Sequence, residues 1–263
     1  MSIFQAIFLG IVQGLTEFLP ISSSGHLVFF QSLFGMKEPQ LFFDVMVHLG
    51  TLLAVVIYFR RDISGILHGL TSWVTGERKN KEEIKLFFLI IIASIPTGLM
   101  GFLGKDWFES LFSRPSLVGG MLLITGSILW LTRWLKREGR FIEKMRWIDA
   151  ILIGVAQGIA IIPGISRSGA TISMGLFCGL NRELAGRFSF LLSIPAILGA
   201  TFLEMRGVYS VSEILPTLIG TVVAFGVGLL SLTLLMRIIK AGNISSFSYY
   251  CWAIGLLMLF LGN

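Results

Sequence analysis

Charged residues are scarce in this sequence. They make up 14% of its 263 residues, whereas 54% are hydrophobic, and the mean hydropathy is +0.83. A soluble domain has about a quarter of its residues charged, because its surface must face water. The shortage excludes a soluble globular protein and predicts a single integral membrane domain over residues 1–263, with membrane lipid as its main solvent.

Cysteine is also scarce. Cys178 and Cys251 both lie in apolar runs, which argues against a disulfide framework or a metal pair. The net charge of +6 would suggest nucleic acid for a soluble protein. Here the basic residues cluster between apolar segments, as in cytoplasmic loops, so we expect no nucleic acid as a partner. The start of the chain holds Gln13 and Glu17 and no leading basic residue, so we expect no cleavable signal peptide.

Ten apolar segments follow one another along the chain. Six are long enough to cross a bilayer: Phe43–Phe59, Leu86–Gly104, Ser116–Leu135, Phe188–Glu204, Ile214–Met236 and Phe247–Gly262. Four are shorter: Ile3–Leu19, His26–Phe34, Ile148–Ile162 and Ala170–Leu180. The short segments form two pairs, each interrupted by a Gly- and Ser-rich stretch. We predict that each pair is a re-entrant helical hairpin, since broken backbone at membrane depth must line protein or a polar cavity. Full crossing by every run is the alternative.

The basic residues predict the orientation. Segments Arg60–Lys85 and Arg133–Arg146 hold 12 of the 21 Lys and Arg residues. We therefore place these segments in the cytoplasm, and both termini and the loops near Lys37, Asp106 and Tyr209 on the outer side.

The sequence contains an internal repeat. When the chain is shifted by 144 residues, Ala6–His26 aligns with Ala150–Ala170 without a gap, and nine of 21 positions are identical. Shared Gln-Gly and Ser-x-Ser-Gly patterns at fixed spacing indicate duplication rather than chance. We define repeat 1 as residues 1–140 and repeat 2 as residues 145–263.

Each repeat consists of one hairpin and three long spans. Three is an odd number, so the second repeat enters the membrane inverted relative to the first. The predicted fold class is an all-α polytopic membrane protein with an inverted-topology repeat. In such folds the broken helices meet near the bilayer midplane and form the binding site.

The first break carries groups suited to acid–base chemistry. Gln13 and Glu17 share one helix face, and a carboxylate inside an apolar segment is a functional candidate by default. Pro20 ends the first half-helix. A turn of serine and glycine then starts a new helix, whose free N–H groups form an anion site. His26 is a candidate acid, base or nucleophile. The turn residues are Ser22, Ser23, Ser24 and Gly25.

The second break carries an arginine. Arg167 is costly in a membrane unless it meets an anion, and its planar fork suits a phosphate. The neighbouring candidate ligands are Ser166, Ser168, Gly169 and Thr171. Together the two breaks suggest phosphoryl chemistry, with a divalent cation, Mg²⁺ or Ca²⁺, held by Glu17 and Gln13. Alternatively, Glu17 and Arg167 form a structural ion pair, and the serines only cap and pack helices.

Both breaks resemble known signature motifs. Residues 13–26 (QGLTEFLPISSSGH) and 163–171 (PGISRSGAT) are similar to the two motifs of the undecaprenyl-diphosphate phosphatase family, of the bacitracin-resistance type. The resemblance covers the whole chain. It implies a bacterial inner-membrane enzyme, with its site open to the outer face, that hydrolyses the C55 isoprenoid diphosphate to the carrier lipid of cell-wall synthesis. The family's catalytic positions fall on Glu17, Ser23, His26 and Arg167. Gln13 occupies the first position of the family's (E/Q)xxxE motif, which allows glutamine there; a glutamine ligates weakly, through its carbonyl oxygen.

The resemblance suggests a mechanism. Ser23 would attack the terminal phosphorus with His26 as its base and Glu17 orienting one of them; direct attack by His26 or by water are alternatives. A polyprenyl diphosphate lipid is the expected substrate, and a homodimer is one expected assembly. A lipid-phosphate transporter or flippase with the same midplane site is the alternative function.

Overall fold

The computed structural model describes residues 1–36, 40–76, 80–111, 115–135, 138–204 and 211–261. Within these ranges the chain is helical and contains no β-strand, only one isolated bridge between Arg140 and Leu180. The α-helices are α1 (Ile3–Thr16), α2 (Ser23–Leu33), α3 (Leu41–Tyr58), α4 (Arg60–Val74), α5 (Lys81–Leu103), α6 (Lys105–Leu111), α7 (Pro115–Leu131), α8 (Trp147–Ile159), α9 (Arg167–Phe177), α10 (Arg182–Glu204), α11 (Val211–Ala241) and α12 (Phe247–Leu261).

In the part of the chain that the structure describes, five helices are long and apolar enough to cross a bilayer: α3, α5, α7 with the turn after it, α10 and α11. They confirm five of the six predicted long spans and make the chain a multi-pass membrane protein. The sixth predicted span, Phe247–Gly262, corresponds to α12, which is shorter than the other five, and its last residue lies outside the described residues. Helix α12 has 15 residues and reaches roughly 22 Å at 1.5 Å per residue, less than the ~30 Å hydrocarbon core.

The basic segment after α3 is not simply a loop. Ile63, Ile66 and Leu70 recur at helical spacing, and the chain forms α4 from Arg60 to Val74. The predicted outer loop near Asp106 likewise lies in the short helix α6. Other positions used to predict the orientation lie outside the described residues: Lys37, Arg78, Lys79, Arg114 and Tyr209.

The four short helices form the two predicted pairs, α1 with α2 and α8 with α9. They have 14, 11, 13 and 11 residues, so each is too short to cross alone. Helix α1 ends at Thr16, three residues earlier than predicted. Both breaks contain proline, Pro20 and Pro163, which cannot donate a helical hydrogen bond. Gly164 adopts φ +94°, which glycine tolerates without steric cost.

The repeated glycines place each broken pair against the other half of the chain. Helix α1 packs along α11 and α8 packs along α5. A Cβ on Gly10 would come within 2.5 Å of the Gly220 carbonyl oxygen, and one on the matching Gly154 would overlap the Ala93 carbonyl. Such small residues allow close helix approach in membranes. Helices α3 and α11 pack together, as do α10 and α5, and α7 packs on α12.

Candidate active site

The two breaks contact each other directly. The Gly164 N–H of the second break donates to Ser22 Oγ of the first at 3.2 Å. In return, Ser168 Oγ donates to the Leu19 carbonyl at 3.3 Å. These bonds join residues more than 140 positions apart, so the break residues of both halves belong to one site.

Both breaks end in a serine-capped helix. Ser22 Oγ accepts from the Gly25 N–H at 3.5 Å, and the matching Ser166 Oγ accepts from the Gly169 N–H at 3.1 Å. The N-termini of α2 and α9 therefore lie side by side, and their other first-turn N–H groups have no intrahelical partner. Ser22 has φ +67°, a strained conformation for a residue with a side chain. The hydrogen bond from the Gly164 N–H to Ser22 Oγ helps to hold Ser22 in this conformation.

Glu17 is the centre of the polar contacts. Its carboxylate is buried. Arg167 Nη2 approaches Oε1 at 2.5 Å, and Ser23 Oγ donates to Oε2 at 2.6 Å. Gln13 Nε2 donates to Oε2 at 3.1 Å, and His48 Nε2 lies 3.6 Å away from it. Glu17 and Arg167 thus form the ion pair that was one alternative, but Ser23 shares the same carboxylate.

Ser23 and Arg167 are equivalent positions in the 144-residue repeat. Each is the first residue of its second half-helix, α2 or α9. Because the two helix starts meet, the same repeat position supplies a hydroxyl from one half and a guanidinium from the other. The two residues form an asymmetric pair around one carboxylate.

Arg167 retains unused hydrogen-bonding capacity. Its Nη1 is buried and has no hydrogen-bond partner among the described residues. An unpaired buried donor is unfavourable, so a ligand oxygen here would be stabilised. The Arg167 side chain is 19% exposed, and Ser23 and Ser24 are also partly exposed, whereas Glu17 and His26 are buried. The hydroxyls and the guanidinium therefore form the accessible side of the site.

His26 is oriented away from Ser23. Its Nδ1 lies 2.7 Å from the Ser22 carbonyl, which can only accept, so Nδ1 carries the proton. The other nitrogen, Nε2, lies 2.8 Å from the Tyr250 hydroxyl, and the two rings are stacked. In this arrangement Ser23 donates to Glu17 and not to His26, so Glu17 rather than His26 is placed to receive the serine proton.

Most of the remaining predicted ligands use their hydroxyls within the protein. Ser22 and Ser24 are paired at 3.3 Å, and Ser166 and Ser168 at 3.2 Å. Thr171 Oγ1 donates to the Arg167 carbonyl at 2.8 Å. These bonds shape the two helix starts. The role of Ser22, Ser24, Gly25, Ser166, Ser168, Gly169 and Thr171 in binding substrate stays a prediction.

Three residues outside the motifs join the site, and two of them were missed. Tyr250 on α12 was missed, since its sequence environment is an ordinary apolar helix 224 positions from His26. Thr125 on α7 was also missed; it accepts from the Ser166 N–H at 3.1 Å and donates to the Gly164 carbonyl at 3.0 Å, bracing the second break. His48 was detectable, because it lies four residues after Asp44 on a predicted span.

The residues fit a divalent-cation site with two protein ligands rather than one with three or more acidic, cysteine or histidine ligands. No cluster of three or more His, Cys, Asp or Glu side chains suited to a metal occurs in the described part of the chain. Gln13 Oε1, however, is buried without a hydrogen-bond partner there. A flip of this amide would exchange Oε1 with Nε2, which lies 3.1 Å from Glu17 Oε2. Two oxygens bound to Mg²⁺ at right angles are roughly 3 Å apart, so Gln13 and Glu17 match two neighbouring ligands.

Comparison with known proteins assigns the chain to a family. The model of the family described as "Bacitracin resistance protein BacA" matches residues 6–257. A protein of Desulforapulum autotrophicum named "Undecaprenyl-diphosphatase" is 46% identical over 100% of this chain and 99% of its own length. Proteins of the same name from Desulfosudis oleivorans and Methanosphaera stadtmanae are 47% and 42% identical, covering 98% and 99% of this chain and 98% of their own lengths. The family match and these full-length relatives lead to one conclusion: the chain belongs to the bacitracin resistance protein BacA family.

Proposed function

We propose that this chain hydrolyses undecaprenyl diphosphate to undecaprenyl phosphate and inorganic phosphate, and so recycles the lipid carrier for cell-wall synthesis. The names of its full-length relatives support the reaction. One structural observation supports the site: Ser23 and Arg167 both contact the buried Glu17 carboxylate, and Arg167 Nη1 has no partner in the described structure. A nucleophile, a base and a phosphate-binding group are thus adjacent.

In the first step Ser23 Oγ attacks the terminal phosphorus. The new Oγ–P bond forms as the bond from phosphorus to the bridging oxygen breaks, and undecaprenyl phosphate leaves. The serine proton moves to Glu17 Oε2 along the existing 2.6 Å hydrogen bond. Arg167 Nη1 and the free N–H groups at the start of α2 stabilise the charge on the transferring phosphoryl oxygens.

In the second step water attacks the phosphoserine and releases phosphate. His26 is suited to take the proton of this water through Tyr250, because Nδ1 is protonated and the Tyr250 hydroxyl already donates to Nε2: the water donates to the Tyr250 oxygen as the tyrosine proton moves to Nε2. Tyr250 positions that nitrogen. The proton held by Glu17 returns to Ser23 Oγ as the Oγ–P bond breaks. The sequence-based mechanism used His26 as the base of the first step; the contact between Ser23 and Glu17 favours Glu17.

A divalent cation, Mg²⁺ or Ca²⁺, would be held by Glu17 and by the carbonyl oxygen of Gln13. When bound, it would supply positive charge to the phosphate oxygens. Glu17 would then have to divide its two oxygens between Arg167, Ser23 and the cation. We therefore expect weak cation binding in the free protein and tighter binding once the diphosphate supplies further oxygen ligands.

The architecture that we propose is an inverted repeat of residues 1–140 and 145–263, with two re-entrant hairpins. The helix contacts support it: α1 of the first repeat packs on α11 of the second, and the equivalent helix α8 of the second repeat packs on α5 of the first. The proposed location is the bacterial inner membrane, with the site open to the outer face. Single cysteines at Lys79 and Asp106, in a cysteine-free background, test the orientation. An impermeant thiol reagent on whole cells should label only position 106; labelling only position 79 would reverse the orientation.

The test of the function is phosphate release by the purified protein in detergent, where transport between leaflets is impossible. Ser23→Ala should lower the rate by at least 100-fold, while Ser94→Ala is the matched control, because Ser94 bonds only to a carbonyl of its own helix. A Ser23→Ala variant with the parent rate would exclude the serine mechanism. No phosphate release by the parent protein would favour the transporter alternative. A homodimer stays a prediction, to be tested by light scattering in detergent.

A further inference from the structure

A second polar cleft lies where α3 meets α4, beside α11. Its volume is about 450 Å³, and none of its lining residues belongs to the two broken helix pairs. The lining residues are Ile57, Tyr58, Arg60, Arg61, Leu229 and Thr233.

The positive charge of this cleft is not neutralised within the described structure. Arg60 and Arg61 are both exposed. Arg60 Nη1 donates to the Ile57 carbonyl at 3.2 Å, and neither guanidinium forms an ion pair with a described residue. Arg60 and Arg61 are adjacent, and Asp62, the acidic residue that follows them in the chain, is already paired with Arg187 on α10. The two guanidinium groups therefore favour an anion.

The rest of the lining indicates which anion. Ile57 and Leu229 are apolar, Tyr58 carries a hydroxyl, and the Thr233 hydroxyl donates to the Leu229 carbonyl at 2.8 Å. On α11 the neighbouring Leu230 is 74% exposed and suited to contact with lipid. A phosphate group would bind the two arginines while an acyl chain lies along the apolar side. Basic clefts between membrane helices are typical sites for lipid headgroups.

We infer that this cleft binds the phosphate headgroup of an anionic phospholipid, separately from the proposed catalytic site. The lipid would join the α3–α4 corner to α11. A free phosphate would contact only the arginines and would lack the apolar contacts of an acyl chain, so we expect it to bind more weakly than the lipid and not to displace it.

The inference can be tested by native mass spectrometry of the intact protein released from detergent containing phosphatidylglycerol or phosphatidylcholine. The double variant Arg60→Gln, Arg61→Gln removes both cations. The matched control, Lys81→Gln with Lys144→Gln, removes two exposed charges from the same end of the protein. Two contacts place these lysines at the same end as the arginines. Lys81 is the first residue of α5, and Lys85 of the same helix donates to the Glu143 carbonyl, next to Lys144. Glu82, which follows Lys81, interacts with Arg187, the partner of Asp62.

We expect the parent and the lysine control to retain one phosphatidylglycerol in preference to phosphatidylcholine. The arginine variant should bind phosphatidylglycerol on the order of thirtyfold more weakly, since each basic residue near an anionic headgroup contributes a factor of roughly five. Three results would overturn the inference: unchanged retention by the arginine variant, equal loss in the lysine control, or displacement of the lipid by inorganic phosphate alone. Preferential displacement by a polyprenyl phosphate would instead identify the occupant as reaction product and also overturn it.

Discussion

The replacement of Arg167 by lysine tests the proposed site most directly. Arg167 has two terminal nitrogens: Nη2 contacts Glu17 and Nη1 has no partner in the described structure. Lysine keeps the positive charge but has a single nitrogen. Its ammonium can remain with Glu17 or turn to a phosphate oxygen, and it cannot reproduce both contacts with the geometry of a planar fork.

The size of the effect follows from the lost contact. A hydrogen bond to a charged group contributes about 1.5–3 kcal/mol. If the ammonium stays with Glu17, the transition state loses one such bond, which lowers kcat/KM by about 10- to 150-fold. The folded state should lose little stability, because Glu17 keeps a cationic partner. Arg167→Ala, in contrast, leaves the buried carboxylate without one and should destabilise the protein by about 3–5 kcal/mol.

The assay is phosphate release from a polyprenyl diphosphate in detergent, together with the thermal unfolding midpoint. Arg187→Lys is the matched control, because Arg187 also pairs with a carboxylate, that of Asp62, but lies outside the proposed site. An Arg167→Lys variant with activity within threefold of the parent would refute the role of the second nitrogen. Equal losses in Arg167→Lys and Arg187→Lys would indicate a general effect of the replacement.

Three further predictions concern the surroundings of the site. Tyr250→Phe removes the hydroxyl next to His26 and keeps the ring. Turnover should fall by about 2- to 12-fold, as expected for one neutral hydrogen bond, with little change in the thermal midpoint. An unchanged rate would remove Tyr250 from the mechanism. Gly154→Ala should destabilise the protein by about 1–3 kcal/mol, since its Cβ would overlap the Ala93 carbonyl. Gly98→Ala, on α5, is the matched control, because its Cβ would meet nothing within 4 Å and should not destabilise the protein; equal thermal midpoints would contradict the close contact. Gln13→Glu adds a carboxylate beside Glu17 and should lower the Mg²⁺ concentration that gives half-maximal activity by about tenfold. Added Mg²⁺ should also raise the thermal midpoint of this variant more than that of the parent protein. No change in either measurement would exclude position 13 as a ligand.

The sequence alone predicted the broken helix pairs, because their signals are local. Pro20 and Pro163 each stand between two short apolar runs and disfavour a continuous helix there, and Ser22 and Ser166 are typical caps for the helices that follow. The 144-residue repeat showed that the two breaks are related. The shortage of charge was enough to predict a membrane protein.

Only the tertiary structure decided which groups meet. Composition and motif spacing could not show that Ser23 bonds to Glu17 while His26 bonds to Tyr250, because a histidine can reach either neighbour until the surrounding helices are packed. The helical form of the basic segment α4, in contrast, has a local signal in the spacing of Ile63, Ile66 and Leu70. Local signals determine where a helix starts and stops, whereas the choice of hydrogen-bond partners depends on distances across the membrane domain that no single segment specifies.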